Sequence, residues 1–360
     1  MRPYAKVLAF QSLDALAGSA SGPFIVFYYL DDGGSPLAPL AFFLVGFAAA
    51  AIGVAGMTRL RADSHRTMAA GVALFALAFP LLLLLPDAVS PYVASVPWGL
   101  SIPAFFLPLN TLAARTTQRG DRAVKLGGLF LGFAVVGIFG PSLGGVLVWV
   151  GGYALCFTFA VVLLAADAVL ILSQAGDASP LAFRIALPRL GRRLSAGLLG
   201  EGGVEGVLTF LGAVTVFGFL QGPRELGLLL SLFALAGGVM SVLLGRLSDR
   251  IRHRRRFIVA GAMAAGAALA ALAFTATLSY YVVVNSLVAL TATVAPLFLF
   301  AAAVDRFEEA EGEAVATREV LLNAGRALGL VAMGVLLLLG LPTVLGFGLA
   351  AVFALGMALG

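Results

Sequence analysis

The sequence predicts an all-α polytopic membrane protein in which twelve transmembrane helices form two pseudo-symmetric six-helix bundles. Its 360 residues are 61% hydrophobic and only 11% charged, with a mean hydropathy of +1.04. Soluble domains carry about 25% charged residues. Apolar runs about as long as a bilayer crossing, roughly 20 residues, recur along the whole chain. This composition leaves no room for a soluble catalytic domain.

Apolar runs bounded by charged residues, glycine or proline define the twelve expected spans. Their approximate ranges are 5–29, 37–58, 67–86, 91–114, 124–149, 153–173, 195–220, 225–246, 257–277, 279–304, 318–340 and 342–360. Helices are expected, because only helices and closed barrels satisfy the backbone in lipid and barrel strands would alternate in polarity. The first run contains Asp14 and no clear small-residue cleavage site, which favours a retained helix over a signal peptide.

The basic residues test this topology independently of hydropathy. If the N-terminus is cytoplasmic, 21 of the 23 basic residues fall at cytoplasmic ends of the spans. Arg224 falls on the opposite side, and Arg326 lies inside a span. This alternation follows the positive-inside rule. It predicts a plasma-membrane protein with both termini in the cytoplasm, and it explains the basic charge without a nucleic-acid partner.

The longest connection divides the chain between the sixth and seventh spans. The expected organisation is an N-terminal bundle over residues 1–173, a cytoplasmic connecting loop over 174–194 and a C-terminal bundle over 195–360. Weak internal similarity agrees with this division, since Ala62 and Asp63 follow span two as Ser248 and Asp249 follow span eight. Internal repeats of this kind are typical of secondary transporters. We expect a monomer.

The run that begins at Gly245 and contains Asp249, Arg250 and Arg254 resembles the loop signature of the major facilitator superfamily. The run follows the eighth span, where that family carries it. The resemblance implies that Asp249 binds span eleven and closes the cytoplasmic side. It also implies that helices one, four, seven and ten surround a central cavity. The first-half copy of the signature, residues 57–66, is degraded.

A second motif lies in span five. Gly140, Pro141, Gly144 and Gly145 resemble the antiporter motif of the proton-coupled drug exporters of this superfamily. The alternative is ordinary small-residue packing, because glycines four residues apart form a smooth stripe that another helix can approach closely.

Four ionisable residues lie deep in spans and are candidates for proton coupling: Asp14, Glu201, Glu205 and Arg326. Each costs about 2.5 to 3.5 kcal/mol at a helix centre, so a function is the default interpretation. Glu201 and Glu205 share a helix face, and two close carboxylates in a low dielectric should not both ionise. The alternative is that Asp14 and Glu205 form a static buried ion pair with Arg326.

Uncharged polar residues within spans supply candidates for substrate contact. These are Gln11 and the three asparagines of the chain, Asn110, Asn285 and Asn323. The alternative for them is polar contact between helices. Asp167 is expected to snorkel or to cap its helix. His65 and His253 are expected to be solvated or to make contacts within loops. The acidic run from Asp305 to Glu313 is expected to be a solvated loop, and the alternative is that it pairs with arginines of neighbouring cytoplasmic loops.

The favoured function is secondary transport by alternating access, as proton-coupled efflux of a small organic compound, amphipathic or cationic. The alternatives are a proton-linked uptake symporter for a polar solute and a non-transporting membrane sensor. An enzyme is disfavoured, because the sequence lacks the H-E-x-x-H, G-x-S-x-G and P-loop patterns. One cysteine and two histidines offer no usual metal centre, and no cofactor is expected. The expected partners are a small-molecule substrate, protons and the lipid bilayer.

Overall fold

The computed structural model describes the backbone of residues 3–60, 62–115, 122–174, 180–220, 222–248, 254–307 and 310–360. Its helices are α1 (Pro3–Leu30), α2 (Leu37–Met57), α3 (Ser64–Leu84), α4 (Ser90–Val93), α5 (Ser95–Arg115), α6 (Arg122–Ser173), α7 (Leu187–Leu190), α8 (Arg192–Phe219), α9 (Pro223–Ser248), α10 (Arg254–Leu272), α11 (Leu278–Thr291), α12 (Val294–Phe307), α13 (Glu311–Leu338) and α14 (Leu345–Met357). Two strands of two residues, β1 (Ala62–Asp63) and β2 (Pro180–Leu181), pair antiparallel.

These helices make up twelve spans. The long helix α6 contains two of them, because its backbone leaves the helical conformation at Gly151 and Gly152. Gly152 has a φ of +72°, a value that L side chains rarely adopt. Span ten is divided into α11 and α12, and the short α4 precedes α5 in span four. Within the described residues, nine stretches of helix are long and apolar enough to cross a membrane, and two of them are the 39-residue Val135–Ser173 and the 30-residue Leu278–Phe307. The chain is an integral membrane protein.

Two helix starts show how the sequence sets these boundaries. The side chain of Asp63 accepts hydrogen bonds from the backbone N–H groups of His65 and Arg66, at 2.9 and 3.0 Å, and so caps α3. Thr277 accepts a similar bond from the N–H of Tyr280 at the start of α11. Both caps satisfy donors that a helix leaves unpaired in its first turn.

The largest boundary error of the sequence prediction concerns span eleven. We expected it to begin at residue 318, but α13 begins at Glu311, because hydropathy alone excluded the charged first turns. Arg318 therefore lies about two turns inside the helix and is buried, with 8% of its surface exposed. Its assignment to a cytoplasmic connection was wrong.

The two halves contact each other through α6 and α9 and through α2 and α13. A side chain at Gly140 or Gly144 would collide with α1 at Ser19 and Ala20, and one at Gly145 would collide with Pro223 of α9. The span-five glycine motif thus lies where α6 contacts both α1 and the other half. Pro141 of the motif faces Gly227 of α9 in the same way. The hydroxyl of Ser142 is 2.6 Å from that of Ser231 across this contact.

The segment between the halves is attached to both of them. Its strand β2 pairs with β1 of the N-terminal half. The N–H of Ala186 donates to the hydroxyl of Thr317 at 2.9 Å, and Arg189 donates to the carbonyl oxygen of Phe307 at 3.1 Å. Arg189 also pairs with Glu313 at 3.4 Å. All three partners lie in α12 or α13.

Two expectations for polar residues outside the candidate site were wrong, and a third was met in its alternative form. His65 is buried in α3, lies 3.1 Å from the hydroxyl of Ser64 and contacts the ring of Phe10 edge to face. Asp305 belongs to α12 and pairs with Arg254, so the alternative of pairing with a neighbouring arginine holds at this residue. Asp167 is fully buried instead of snorkelling. His253 lies outside the described residues.

Candidate functional site

A cavity of about 810 Å³ lies between the two halves. Cavities that bind small organic molecules span about 300 to 1,000 Å³. Residues of α1, α2, α3 and α5 line it from the N-terminal half, and residues of α8, α12, α13 and α14 line it from the C-terminal half. Spans one, four, seven and ten, which the resemblance places around a central cavity, all contribute.

The N-terminal wall of the cavity is mainly aromatic. Its rings are Phe47, Phe75, Trp98, Phe105 and Phe106. The polar groups of this wall are Gln11, Asp14, Ser19, Ser101 and Asn110, and Asp14 is the ionisable residue among them. An aromatic wall with a few polar groups fits a ligand that has a large apolar part.

The C-terminal wall carries most of the charge. Its ionisable side chains are Glu201 and Glu205 from α8 and Arg318, Glu319 and Arg326 from α13, and Phe300 is its aromatic ring. The two helices approach closely because their contact is made of glycine. A side chain at Gly206 would collide with the backbone of Arg326, and one at Gly325 with the backbone of α8. This close approach allows carboxylates of one helix to meet guanidinium groups of the other.

Arg326 binds Glu205 with two donors. Its Nε and Nη2 lie 2.8 and 2.5 Å from Oε2 of Glu205. A third donor, Nη1, lies 2.9 Å from Oδ1 of Asn323, and the guanidinium group is 5.3 Å from the ring centre of Phe47. Phe47 belongs to the opposite wall, so Arg326 joins the two halves by a cation–π contact.

Arg318 holds a second and deeper network. Its Nη2 lies 2.6 Å from Glu201, and its Nη1 lies 3.0 Å from Glu319. Only 1% of the Glu201 side chain is exposed, compared with 40% of the Glu205 side chain. The expectation that Glu201 and Glu205 compete for charge was therefore incomplete, because each carboxylate has its own arginine.

Asp14 differs from these acids. It lines the cavity and is 7% exposed, but among the described residues it has no ion pair. The static pair between Asp14 and Arg326 that the sequence left open is thus not formed, whereas the pair between Glu205 and Arg326 is. An ionised carboxylate without a cation is costly in such a place.

The structure brings together six of the eight residues proposed for coupling or substrate contact. Asp14, Glu201, Glu205, Arg326, Gln11 and Asn110 all line the cavity. Asn285 and Asn323 are not among the lining residues. Asn323 is fully buried, donates to the carbonyl oxygen of Glu319 at 2.8 Å and accepts from Arg326. It positions the arginine instead of facing the cavity.

The loop motif after span eight is described only in part. Gly245 belongs to α9, and Arg254 begins α10 and pairs with Asp305. Asp249 and Arg250 lie outside the described residues. The role of this motif in closing the cytoplasmic side stays a prediction.

Sequence reasoning missed Arg318 and Glu319 as cavity residues. The signal was present in their spacing, because Arg318 and Arg326 are eight residues apart, and Glu319, Asn323 and Arg326 recur at intervals of four and three. Such intervals place residues on neighbouring positions of one helix face. Among the described residues, no group of three or more histidine, cysteine or acidic side chains could hold a metal ion.

Comparison with known proteins supports this fold. The sequence model of the Major Facilitator Superfamily matches residues 194–360. The human organic anion transporter MFSD10 (TETRAN) has a similar structure at 17% identity, with a TM-score of 0.71 over 99% of this chain and 98% of that one. The chain has the major facilitator fold, and its C-terminal bundle is similar in sequence to that superfamily.

Two other solved members of this fold give the same result. The Escherichia coli fucose:proton symporter FucP is 12% identical, with a TM-score of 0.70 over 99% of this chain and 97% of its own. A bacterial homologue of the iron transporter ferroportin is 16% identical, with a TM-score of 0.70 over 100% and 97%. No curated protein sequence matches the chain significantly. The sequence match and the shared fold support a secondary transporter rather than an enzyme, and at these identities the solved structures show the fold alone.

Proposed function

We propose that this transporter exports a small, amphipathic organic cation in exchange for protons. The observation that carries the proposal is the contrast between the cavity walls. An aromatic wall bears one carboxylate without an ion pair, Asp14, and faces a wall whose two arginines are already bound to carboxylates.

The charges of the cavity favour a cation. Four carboxylates line it, those of Asp14, Glu201, Glu205 and Glu319, against the two guanidinium groups of Arg318 and Arg326. The arginines are each occupied by at least one carboxylate, so an anion would have to displace a bound glutamate. A cation can bind Asp14 without breaking any ion pair of the described residues, and its apolar part can lie on the aromatic rings.

The same carboxylate supplies the exchange with protons. A buried acid is far more stable when it is protonated or has a cationic partner. A cation and a proton therefore compete for the Asp14 carboxylate, and binding of one releases the other. With rocking of the two halves around this site, proton entry on one side drives the cation out on the other. The pair of Glu205 and Arg326 is more exposed and can exchange partners as the walls separate.

Flux into proteoliposomes tests this proposal. We would compare ethidium as an aromatic cation, benzenesulfonate as an aromatic anion and fucose as an uncharged polar solute, each with and without an imposed pH gradient. We expect the gradient to drive ethidium against its concentration difference, in the direction opposite to the protons. Co-movement of fucose with protons would instead support a symporter. Absence of flux for the whole panel would leave the sensor as the better interpretation.

Two variants assign the coupling. Asp14→Asn should fold, because it removes a charge that has no ion pair, and should lose both pH-driven ethidium movement and the dependence of flux on pH. Asp87→Asn removes an exposed carboxylate outside the cavity and should behave like the wild type. If Asp14→Asn keeps the wild-type pH profile, Asp14 is not the coupling group.

We also propose that both termini lie in the cytoplasm, at the plasma membrane, and that the chain works as a monomer. The distribution of basic residues supports this orientation. Single cysteines at Asp87 and Arg189, introduced into a Cys156→Ala background, should react with an impermeant reagent from opposite sides of the membrane. Both positions are exposed. Reaction from the same side would contradict the twelve-span topology.

A further inference from the structure

Behind the aromatic wall, α1 meets the second arm of α6, where a buried acid has no role in the proposed cavity chemistry. Asp167 is 0% exposed. Neither of its carboxylate oxygens has a hydrogen-bond partner in the described part of the chain. A buried ionised carboxylate without a partner is among the most costly groups a protein can contain, so Asp167 is far more stable when it holds a proton or another cation.

Asp14 lies on α1, the helix against which the second arm of α6 packs. The hydrogen bond from Sγ of Cys156 to the carbonyl oxygen of Ala20, 3.3 Å, fixes the second arm of α6 against α1. The two helices are antiparallel because they belong to spans one and six. Asp167 follows Cys156 by eleven residues, about 16 Å, and Asp14 precedes Ala20 by six residues, about 9 Å. Asp167 thus lies about 7 Å closer than Asp14 to the side on which α1 begins, and the two carboxyl groups interact electrostatically.

Other charged groups on the neighbouring helices lie towards the ends of the bundle. On the side where α1 begins they are Lys6 of α1, His65 and Arg66 of α3, Arg115 of α5, Arg122 and Lys125 of α6, Arg246 of α9 and Asp305 and Arg306 of α12, and on the other side they are Arg224 and Glu225 of α9. Arg66 and Arg115 are exposed. Within the described part of the chain, Asp14 is a charged group that acts on Asp167.

We infer that Asp167 is a second proton-binding residue, whose proton is linked to the protonation of Asp14 on the adjoining helix α1. When Asp14 ionises, its negative charge strengthens proton binding at Asp167, and a proton on Asp167 lets Asp14 ionise without a second negative charge beside it. This inference rests on the proposed role of Asp14 and adds a residue outside the cavity. A proton fits better than a metal ion, because Ca²⁺ takes about six to eight oxygen ligands and no group of three or more acidic, histidine or cysteine side chains among the described residues could hold a metal ion.

Infrared spectroscopy of the purified protein tests the proton itself without any substrate. The wild type should show a protonated-carboxyl C=O stretch at neutral pH, and Asp167→Asn should remove that component, whereas the surface variant Asp87→Asn should not. An unchanged spectrum in Asp167→Asn would overturn the inference. Because this measurement requires no transport, it separates failure of the inference from failure of the proposed function.

The linkage to Asp14 is tested by the pH at which the infrared C=O component of Asp167 disappears. In Asp14→Asn that pH should fall by about one unit, the size of a strong interaction between titrating sites, because no negative charge then forms at position 14. Asp14→Glu retains the carboxyl group and should keep the wild-type value. An unchanged pH in Asp14→Asn would overturn the linkage.

Thermal unfolding provides a check that does not depend on flux. Ionising Asp167 inside the protein costs free energy, so raising the pH should lower the melting temperature of the wild type more than that of Asp167→Asn. If the melting temperatures of the wild type and Asp167→Asn change with pH in the same way, Asp167 does not bind a proton in the folded protein. Stabilisation by Na⁺ or Ca²⁺ that Asp167→Asn abolishes would replace the proton by a metal ion as occupant and also overturn the inference.

Discussion

The two walls of the cavity differ in how they accommodate charged side chains inside the membrane. The C-terminal wall has five ionisable side chains and binds each arginine to at least one carboxylate. The N-terminal wall has five aromatic rings and a single carboxylate without an ion pair. In the C-terminal wall, each arginine is neutralised by a carboxylate of the same wall. In the N-terminal wall, the carboxylate of Asp14 has no such partner. Asp14 is therefore a better candidate than the larger charge cluster for exchanging a proton with a cationic substrate.

The two ion pairs of the C-terminal wall differ in how deeply they are buried. Arg318 and Glu201 are 9% and 1% exposed in their side chains, whereas Arg326 and Glu205 are 16% and 40% exposed. A deeply buried pair has no water to replace a lost partner, and its disruption is correspondingly expensive. We therefore assign the Arg318 network to the stability of the C-terminal half and the more exposed pair to movement.

The largest effect is expected where the charged wall loses its buried cation. Arg318→Met should lower the free energy of unfolding by about 3 to 5 kcal/mol, because Glu201 remains buried without its partner. Thermal or denaturant unfolding in detergent measures this. The triple variant Arg318→Met with Glu201→Gln and Glu319→Gln should recover much of the loss, because it also neutralises the second buried carboxylate that Arg318 binds. Arg189→Met, which breaks an exposed pair with Glu313, is the control and should cost at most about 1 kcal/mol. Equal losses in Arg318→Met and the control would refute the distinction.

An intermediate effect is expected at the more exposed pair. Arg326→Met should cost about 1 to 2 kcal/mol of stability, since Glu205 can be hydrated from the cavity. Arg326→Met should reduce the flux per folded molecule strongly, although most of the protein stays folded. Glu205→Gln should likewise reduce flux while most of the protein stays folded. Comparing flux with the folded fraction for both variants separates the two effects. A loss of stability as large as that of Arg318→Met would show that both pairs are structural.

The smallest effect is expected where the walls touch. Phe47→Leu removes the cation–π contact with Arg326 and retains a large apolar side chain, so it should cost about 0.5 to 1 kcal/mol. Ethidium affinity, measured by fluorescence titration, should fall about two- to fivefold, because the cation also loses one aromatic ring of the wall, a contact of about 0.5 to 1 kcal/mol. Phe105→Leu changes another ring of the same wall that does not contact an arginine in the described residues, and the difference between the two variants isolates the contribution of Arg326.

Composition and the spacing of charge suffice to predict the class of this protein. Apolar runs must be helices in lipid, so twelve spans follow from sequence with errors of a few residues at most ends. The depth of Asp14, Glu201, Glu205 and Arg326 follows in the same way, because the rise per residue is fixed. The start of α13 did not follow, since hydropathy excludes charged turns that are buried by neighbours.

Only the tertiary structure decided which charges are partners. Residues 117 or more positions apart, such as Glu201 and Arg318, meet because glycines of α8 and α13 permit close contact, and no local pattern encodes that pairing. The same holds for Asp14, which the structure leaves without an ion pair among the described residues, and for Asp167, which is buried against α1 instead of reaching the membrane surface. The depth of a side chain in the membrane depends on its position along one helix and follows from the sequence. Which side chains form ion pairs depends on how two helices are rotated and how far apart they lie.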